Sequence, residues 1–437
     1  MTGTLFEGRA PRLWLRLEQH ADKPFYAQTP PSLADGYILN ANLVESAPDA
    51  CASFLDQTAK PFLIDPVTYR FDRPVWYTRT DAEGEPLGKR NYARLWAKYS
   101  AGVGGLSGDP LRDGGVGGLK GEEAIVRFCQ NVINFQEERL RSVWAQDGAQ
   151  YVMDRLLFAG QLAPAAYVAP YPVIGASDPG SDITLAGAFA RATASLARPH
   201  AVAAVLPLMP HVLRDLAWMR SLAATVAQSG VQAALIWTVG TSALELADDP
   251  ALFTGLALLL RNLRDAGLEE GLLYGGILSS LLRGFGAASF SHGLMYGEVR
   301  GLEPSGGRSQ LTFYFPPLRH PLSYAGAARI VMSMSPTEYL ERVCGCAVCT
   351  ELVGGDIRNL GAYFQTYRPD QAKRDFPTQE ALDLNRFHYL LARGAELEFA
   401  RARPEGQLIG DLLAAADPYP PSASSTLRRW AERLGAA

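Results

Sequence analysis

Short apolar runs alternate with polar-faced stretches of helical length along most of this chain. The runs are Gly36-Tyr-Ile-Leu-Asn40-Ala-Asn42, Pro61-Phe-Leu-Ile-Asp65-Pro-Val-Thr-Tyr69, Ala165-Ala-Tyr-Val-Ala-Pro170, Ala201-Val-Ala-Ala-Val-Leu206, Gln232-Ala-Ala-Leu-Ile-Trp237, Gly271-Leu-Leu-Tyr-Gly275 and Ala288-Ser-Phe290. Nearly continuous apolar strands separated by helices predict a parallel sheet buried on both faces. Seven such strands, with an eighth near Arg329-Ile-Val-Met332, predict an α/β fold of the (β/α)8 barrel type, an open doubly wound sheet being the alternative. Gln310-Leu-Thr-Phe-Tyr-Phe315 alternates in the manner of an added hairpin strand. The predicted division is a barrel over 1–335 with an N-terminal extension, a helical subdomain over 336–402, and a tail over 403–437 that ends in a short helix.

Between the second and third runs, Gly102 to Gly121 is too rich in glycine to predict fixed structure and reads as a mobile loop or lid. Its Gly-Gly-Leu-Lys120-Gly121 is not a phosphate loop, because Gly121 stands where a magnesium-binding hydroxyl is needed.

Composition narrows the partners. The chain has 437 residues, 48% hydrophobic and 20% charged, with a formal net charge of -4, so it can bury a large core but carries no global basic field. A nucleic-acid contact would need a local patch or a protein partner. No apolar run reaches the ~18 residues that cross a bilayer, and Met1-Thr-Gly-Thr-Leu-Phe-Glu7 lacks a basic-then-apolar signal. The expectation is a cytoplasmic protein with no membrane contact.

The most specific chemistry is Cys344-Gly-Cys346-Ala-Val-Cys349. Three cysteines this close cannot pair as unstrained disulfides, but they supply three thiolates to one tetrahedral ion. His388, in the helical segment Arg386-Phe-His-Tyr-Leu-Leu-Ala-Arg393, completes the set. The prediction is one structural zinc per chain, four-coordinate and closed to water, the alternative being reduced cysteines without metal.

In a barrel, chemistry sits where strands run out into loops. Asp65 lies at the exit of the second strand ahead of Pro66, as a site carboxylate or a turn aspartate, and Tyr69 offers a stacking face or packing. Asn40, Asn42 and Glu45 read as turn and cap residues; Asp178 and Asp182 read equally as caps or site carboxylates. Gly275 and Gly276, beyond the sixth run, are candidate substrate contacts. Ser291, His292 and Glu298 follow the seventh; Ser291 and His292 resemble a nucleophile and base, yet neighbours on a strand point to opposite faces. His211 and His320 are isolated.

These residues resemble a family. A Cys-x-Cys-x-x-Cys with a helical histidine, appended to an eightfold barrel, is similar to the tRNA-guanine transglycosylases and their DNA-modifying relatives that insert 7-deazaguanines. The likeness spans roughly 36 to 400. His388-Tyr-Leu resembles the family's His-Asn-Leu, with a longer gap from Cys349; Phe62-Leu-Ile-Asp65-Pro-Val-Thr-Tyr69 resembles its Asp-Ser-Gly-Gly-Tyr/Phe segment. The resemblance implies that Asp65 lies near the reacting sugar and that Tyr69 sandwiches the base. It also implies a nucleic-acid substrate, tRNA or DNA, a 7-deazaguanine base, and a homodimer or heteromeric partner.

Two departures stand against it. The family's nucleophilic aspartate follows a phenylalanine where this chain has Phe290-Ser291, and its base-reading aspartate is replaced by apolar residues in Tyr167-Val-Ala-Pro-Tyr-Pro172. Base exchange needs a carboxylate able to form a glycosyl intermediate. Three readings follow: Glu298 or Asp65 takes the nucleophile's place, Asp65 activates water in an N-glycosidase, or the chain is a non-catalytic partner. A duplex substrate would need its base flipped out in either catalytic case.

Overall fold

The computed structural model describes residues 12–72, 89–144, 162–294, 300–303, 311–369, 375–421 and 424–436. Eight parallel strands form one sheet: β1 (Arg12–Leu17), β2 (Gly36–Asn40), β3 (Phe62–Asp65), β4 (Tyr167–Val168), β5 (Val202–Leu208), β6 (Ala233–Thr238), β7 (Glu269–Leu272) and β8 (Ala287–His292). Their order is β3-β2-β1-β8-β7-β6-β5-β4, so the first strand pairs with the last. The remaining seam, between β3 and β4, is drawn together by Ala165 N–H donating to Phe62 O at 2.8 Å and by Thr68 and Tyr171 exchanging two 2.8 Å bonds. With helices outside, this is a nearly closed eightfold barrel of the (β/α)8 kind.

The helices start where the sequence provides caps. Asp178, Asp215 and Asp249 each accept backbone N–H groups at the heads of Pro179–Leu196, Leu216–Ala227 and Pro250–Asp265. These helices and Glu122–Glu138 cover the outside of the strands, whose residues are nearly all buried.

Two expectations are corrected. The eighth strand is not Arg329–Met332: Ser323 caps a helix over Tyr324–Val331, with Tyr324, Ala327 and Val331 buried at helical spacing. The strand that completes the barrel is β1, at the opposite end of the chain. The glycine-rich stretch also holds structure, a short helix at Pro110–Asp113 and a 3-10 turn at Gly115–Gly118. Asp113 gathers Ser107 N–H, Gly108 N–H and Trp96 Nε1–H at 2.6, 3.0 and 3.0 Å. Gly115, at φ +58, lies so close to the Phe71 backbone that a Cβ would meet its carbonyl at 2.5 Å.

The expected hairpin strand is β9 (Thr312–Phe315), antiparallel to β10 (His320–Ser323). Beyond it lie helices Pro336–Arg342, Ala347–Val353 and Gln379–Arg401, then Glu405–Ala416 and Ser425–Ala436. The last one turns back onto the barrel, where Trp430 Nε1–H and Arg433 Nε–H donate to Ala243 O and Ala247 O. No helix among the described residues is long and apolar enough to cross a membrane.

Candidate metal centre and barrel mouth

Cys346 caps the helix Ala347–Val353, which places Cys346 and Cys349 in its first turn; His388 faces them from the middle of Gln379–Arg401. Donor atoms of Cys344, Cys346, Cys349 and His388 all lie within 4.8 Å of one another. His388 Nδ1 is 3.3 Å from the Cys349 sulfur and 3.7 Å from that of Cys346. Its Nε2–H donates to Tyr314 O at 2.8 Å, which fixes the tautomer that leaves Nδ1 open to an ion, and Phe313 stacks on the ring at 4.5 Å. Tyr339 and Tyr363 hydroxyls lie 3.2 Å from the Cys349 sulfur. Burial acts to raise the Cys349 pKa, but hydrogen bonds from Cys344, Cys346, Tyr339 and Tyr363 hold it at about 4, in the thiolate form a metal takes. Four convergent soft and borderline donors fit a metal ion.

The same helix is pinned further along. Glu396 accepts from Arg319 at 2.6 Å, from Arg393 at 2.8 Å, and from Tyr314 at 2.7 and 2.9 Å, all buried.

At the C-terminal ends of the strands a second cluster forms. Asp65 is buried, and both of its oxygens are engaged. Oδ2 accepts from Arg16 Nη2 at 2.7 Å; Oδ1 accepts from Tyr171 Oη–H at 2.6 Å and Val67 N–H at 3.0 Å. Glu18, just past β1, accepts from Arg16 Nε–H at 3.1 Å, Tyr274 Oη–H at 3.2 Å and Asn40 Nδ2–H at 3.0 Å, with Arg70 3.6 Å away. Burial opposes ionisation of Glu18, yet the charges of Arg16, Arg300 and Arg70 hold its carboxyl well below the usual range. Arg16, also opposed by burial, is kept charged by the carboxylates of Glu18 and Asp65. Three guanidiniums therefore face two carboxylates.

Tyr69 is not a free stacking face. Its ring is buried, stacked on Tyr171 at 6.1 Å and met edge-on by Trp237 at 5.0 Å, while Trp237 in turn lies 5.1 Å from Tyr274. Gly275 and Gly276 lead from β7 into a 3-10 segment, and Gly275 passes so close to Ser279 that a Cβ there would collide with its hydroxyl.

Ser291 and His292 separate as strand geometry requires. Ser291 pairs with Trp14 on the face that carries Arg16, and its buried hydroxyl has no hydrogen-bond partner among the described residues. His292 turns outward, its ring edge-on to Tyr389 at 5.3 Å and its Nδ1 2.9 Å from Gly293 O. It is therefore no base for Ser291. Glu298 lies outside the described residues. Glu45 is an ion-pair residue, held by Lys98 at 2.7 Å and Arg139 at 2.9 Å, and Asp182 ties Gly175 and Ser177 into a loop.

Burial, with Arg393 nearby, pushes the His292 pKa down to about 3. An imidazole neutral in the fold but protonated when unfolded contributes stability that is complete above pH 6.5 and declines as pH falls toward 3. A His292→Phe chain lacks that decline. Its stability relative to the parent should improve by ~2 kcal/mol between pH 7 and pH 5 in urea unfolding. An unchanged difference would contradict a neutral buried imidazole.

The residues that sequence reasoning missed are Arg16 and Glu18, together with Arg70, Tyr171, Trp237, Tyr274 and Arg300. Their signal was the alternation Trp14, Arg16, Glu18 along one face of Arg12-Leu-Trp-Leu-Arg-Leu-Glu18.

No protein-family profile matches the chain, and no curated protein resembles it in sequence. Among solved structures, the carboxyl transferase domain of Rhizobium etli pyruvate carboxylase, determined with 3-hydroxypyruvate, is similar at a TM-score of 0.33 and 9% identity, over 97% of this chain and 56% of that one. The chain thus spans about half the length of that structure, and a likeness this distant bears on neither activity nor substrate.

Proposed function

We propose that this chain acts on the N-glycosidic bond of a guanine or 7-deazaguanine in nucleic acid, exchanging one base for another, with a structural zinc held by Cys344, Cys346, Cys349 and His388. The observation that carries the reading is the carboxylate pair at the barrel mouth. Glu18 and Asp65 reach the same Arg16 Nη2, at 3.1 and 2.7 Å, so those two oxygens lie no more than about 6 Å apart. Retaining glycoside cleavage uses carboxyl groups about 5–5.5 Å apart, one of them as nucleophile. The Cys3His set belongs to the resemblance already drawn. Zinc would hold the β9 hairpin, the cysteine turn and the long helix together; the donor set leaves it no position for substrate.

A second reading, a non-catalytic partner subunit, is favoured by the full engagement of both Asp65 oxygens. One experiment separates them. Metal-loaded protein is incubated with DNA or tRNA, with and without a 7-deazaguanine base, and nucleosides are analysed by mass spectrometry beside an Asp65→Ala control. A new nucleoside that falls at least ~100-fold in the variant supports exchange and names the polymer. Free guanine with an abasic product means an N-glycosidase. No change in either polymer leaves the partner reading.

A further inference from the structure

The three sulfurs of the candidate metal centre are not held alike. Cys349 is fully buried, and the hydroxyls of Tyr339 and Tyr363 each reach its sulfur at 3.2 Å. Both tyrosines are buried and anchored through their backbones. Tyr339 O accepts Val343 N–H at 2.8 Å and Cys344 N–H at 3.1 Å, and Tyr363 O accepts from Asn385 Nδ2, one turn before His388, at 2.9 Å. Cys346 is only half-buried. It stands at the head of the helix Ala347–Val353 without a side-chain capping bond, and its distance to His388 Nδ1 is the longer one, 3.7 Å. Among the described residues no hydroxyl is bonded to its sulfur.

A divalent ion held by three thiolates and a neutral imidazole makes a centre with one net negative charge, and a buried charge is costly unless hydrogen bonds reach it. Two phenol O–H groups directed at one sulfur meet that need at Cys349, and they draw density from its lone pairs. Cys346 keeps its lone pairs and has access to solvent. Those are the two things a thiolate needs to act as a nucleophile.

We propose that Cys346 is the reactive thiolate of the metal centre and the point at which a soft electrophile opens it, with Tyr339 and Tyr363 as positioning residues that keep Cys349 a ligand. The inference rests on the metal assignment and not on base exchange. With an alkyl halide, the Cys346 sulfur forms one S–C bond, halide leaves with the bonding pair, and the neutral thioether that remains is a weak donor. With a hydroperoxide, the sulfur attacks the O–O bond and takes up OH. It is oxidised by two electrons to a sulfenic acid, and the peroxide leaves as an alkoxide or hydroxide that picks up a proton. Either way the shell loses one of its four donors, and with it the hold on the helix Ala347–Val353.

The test treats the metal-loaded full chain with iodoacetamide or, separately, hydrogen peroxide, while peptide mass spectrometry follows each cysteine and a metallochromic dye follows release. Cys346 should be modified at least ~10-fold faster than Cys344 or Cys349, with one metal leaving per Cys346 modified and the buried Cys51 and Cys129 unmarked. That order needs no variant. Tyr339→Phe and Tyr363→Phe, each checked for unchanged melting, should weaken metal binding ~10-fold. In the cobalt-loaded protein they should also move the thiolate-to-cobalt charge-transfer band to lower energy, which a mere packing role would leave in place. First modification at Cys344 or Cys349, or equal rates at all three, overturns the assignment, as does metal retained after Cys346 is alkylated. Phe variants with parental affinity and an unmoved band overturn the role given to the tyrosines. A chain that takes up no metal defeats the metal assignment itself, and this inference with it.

Discussion

Cys349→Ser should strip the metal from the chain and cost about 5 kcal/mol or more. The thiol is fully buried, lies against His388 and receives both the Tyr339 and Tyr363 hydroxyls, so its loss opens the shell and leaves those groups without their acceptor. A bound metal would join a turn at 344–349, a helix at 388, and the β9 backbone that receives His388. The unfolding should also be local. Arg319, Arg393, Tyr314 and Glu396 hold the later turns of Gln379–Arg401 against β9 without any metal. Hydrogen exchange should therefore show residues 344–353 losing protection while β5 and β6 keep theirs. Cys51→Ser, at an equally buried thiol remote from the shell, should keep about one metal per chain. Full metal content in Cys349→Ser, measured by elemental analysis, would falsify the four-donor assignment.

Arg16→Met should destabilise the barrel by ~3–5 kcal/mol at pH 7, because it leaves Asp65 and Glu18 desolvated without their shared cation. The cost should depend on pH in a definite direction. In the parent, the Glu18 pKa is depressed below its unfolded value, so its contribution is present above about pH 4.5 and is lost as pH falls. Without Arg16 that depression shrinks, and the gap between variant and parent should narrow on acidification from pH 7 to pH 4. Adding Asp65→Asn to Arg16→Met should recover part of the loss at pH 7 by removing one uncompensated charge. A gap that is the same at both pH values in urea unfolding would mean that packing, including the Arg16–Tyr274 contact at 4.3 Å, accounts for the cost.

Seven of the eight barrel strands were legible because a strand covered on both faces must be apolar at successive positions. β1 obeys the same burial but places Arg16 inward, against Asp65, and an arginine inside a barrel looks in sequence like one facing solvent. Arg329-Ile-Val-Met332 has strand-like composition, yet the cap at Ser323 and the spacing of Tyr324, Ala327 and Val331 decide for helix. The candidate metal donors were legible because three of them fall within six residues, a spacing with few other uses. The barrel mouth was not: Asp65 meets Arg16 across 49 residues, Tyr171 across 106, and Glu18 meets Tyr274 across 256. No local pattern encodes such meetings; they follow only from the strand order.

That order also bears on how the chain comes to be folded. β1 leaves the ribosome well before its partner on one side, β8, has been made. Arg401 reaches Asp35 across 366 residues, and the final helix closes over Ala243 and Ala247. A nascent chain therefore carries an unpaired, largely apolar strand edge until β8 is made, the condition that favours association with other chains. Completion of the barrel and assembly of the Glu18 cluster must wait until Tyr274 and β8 have been made.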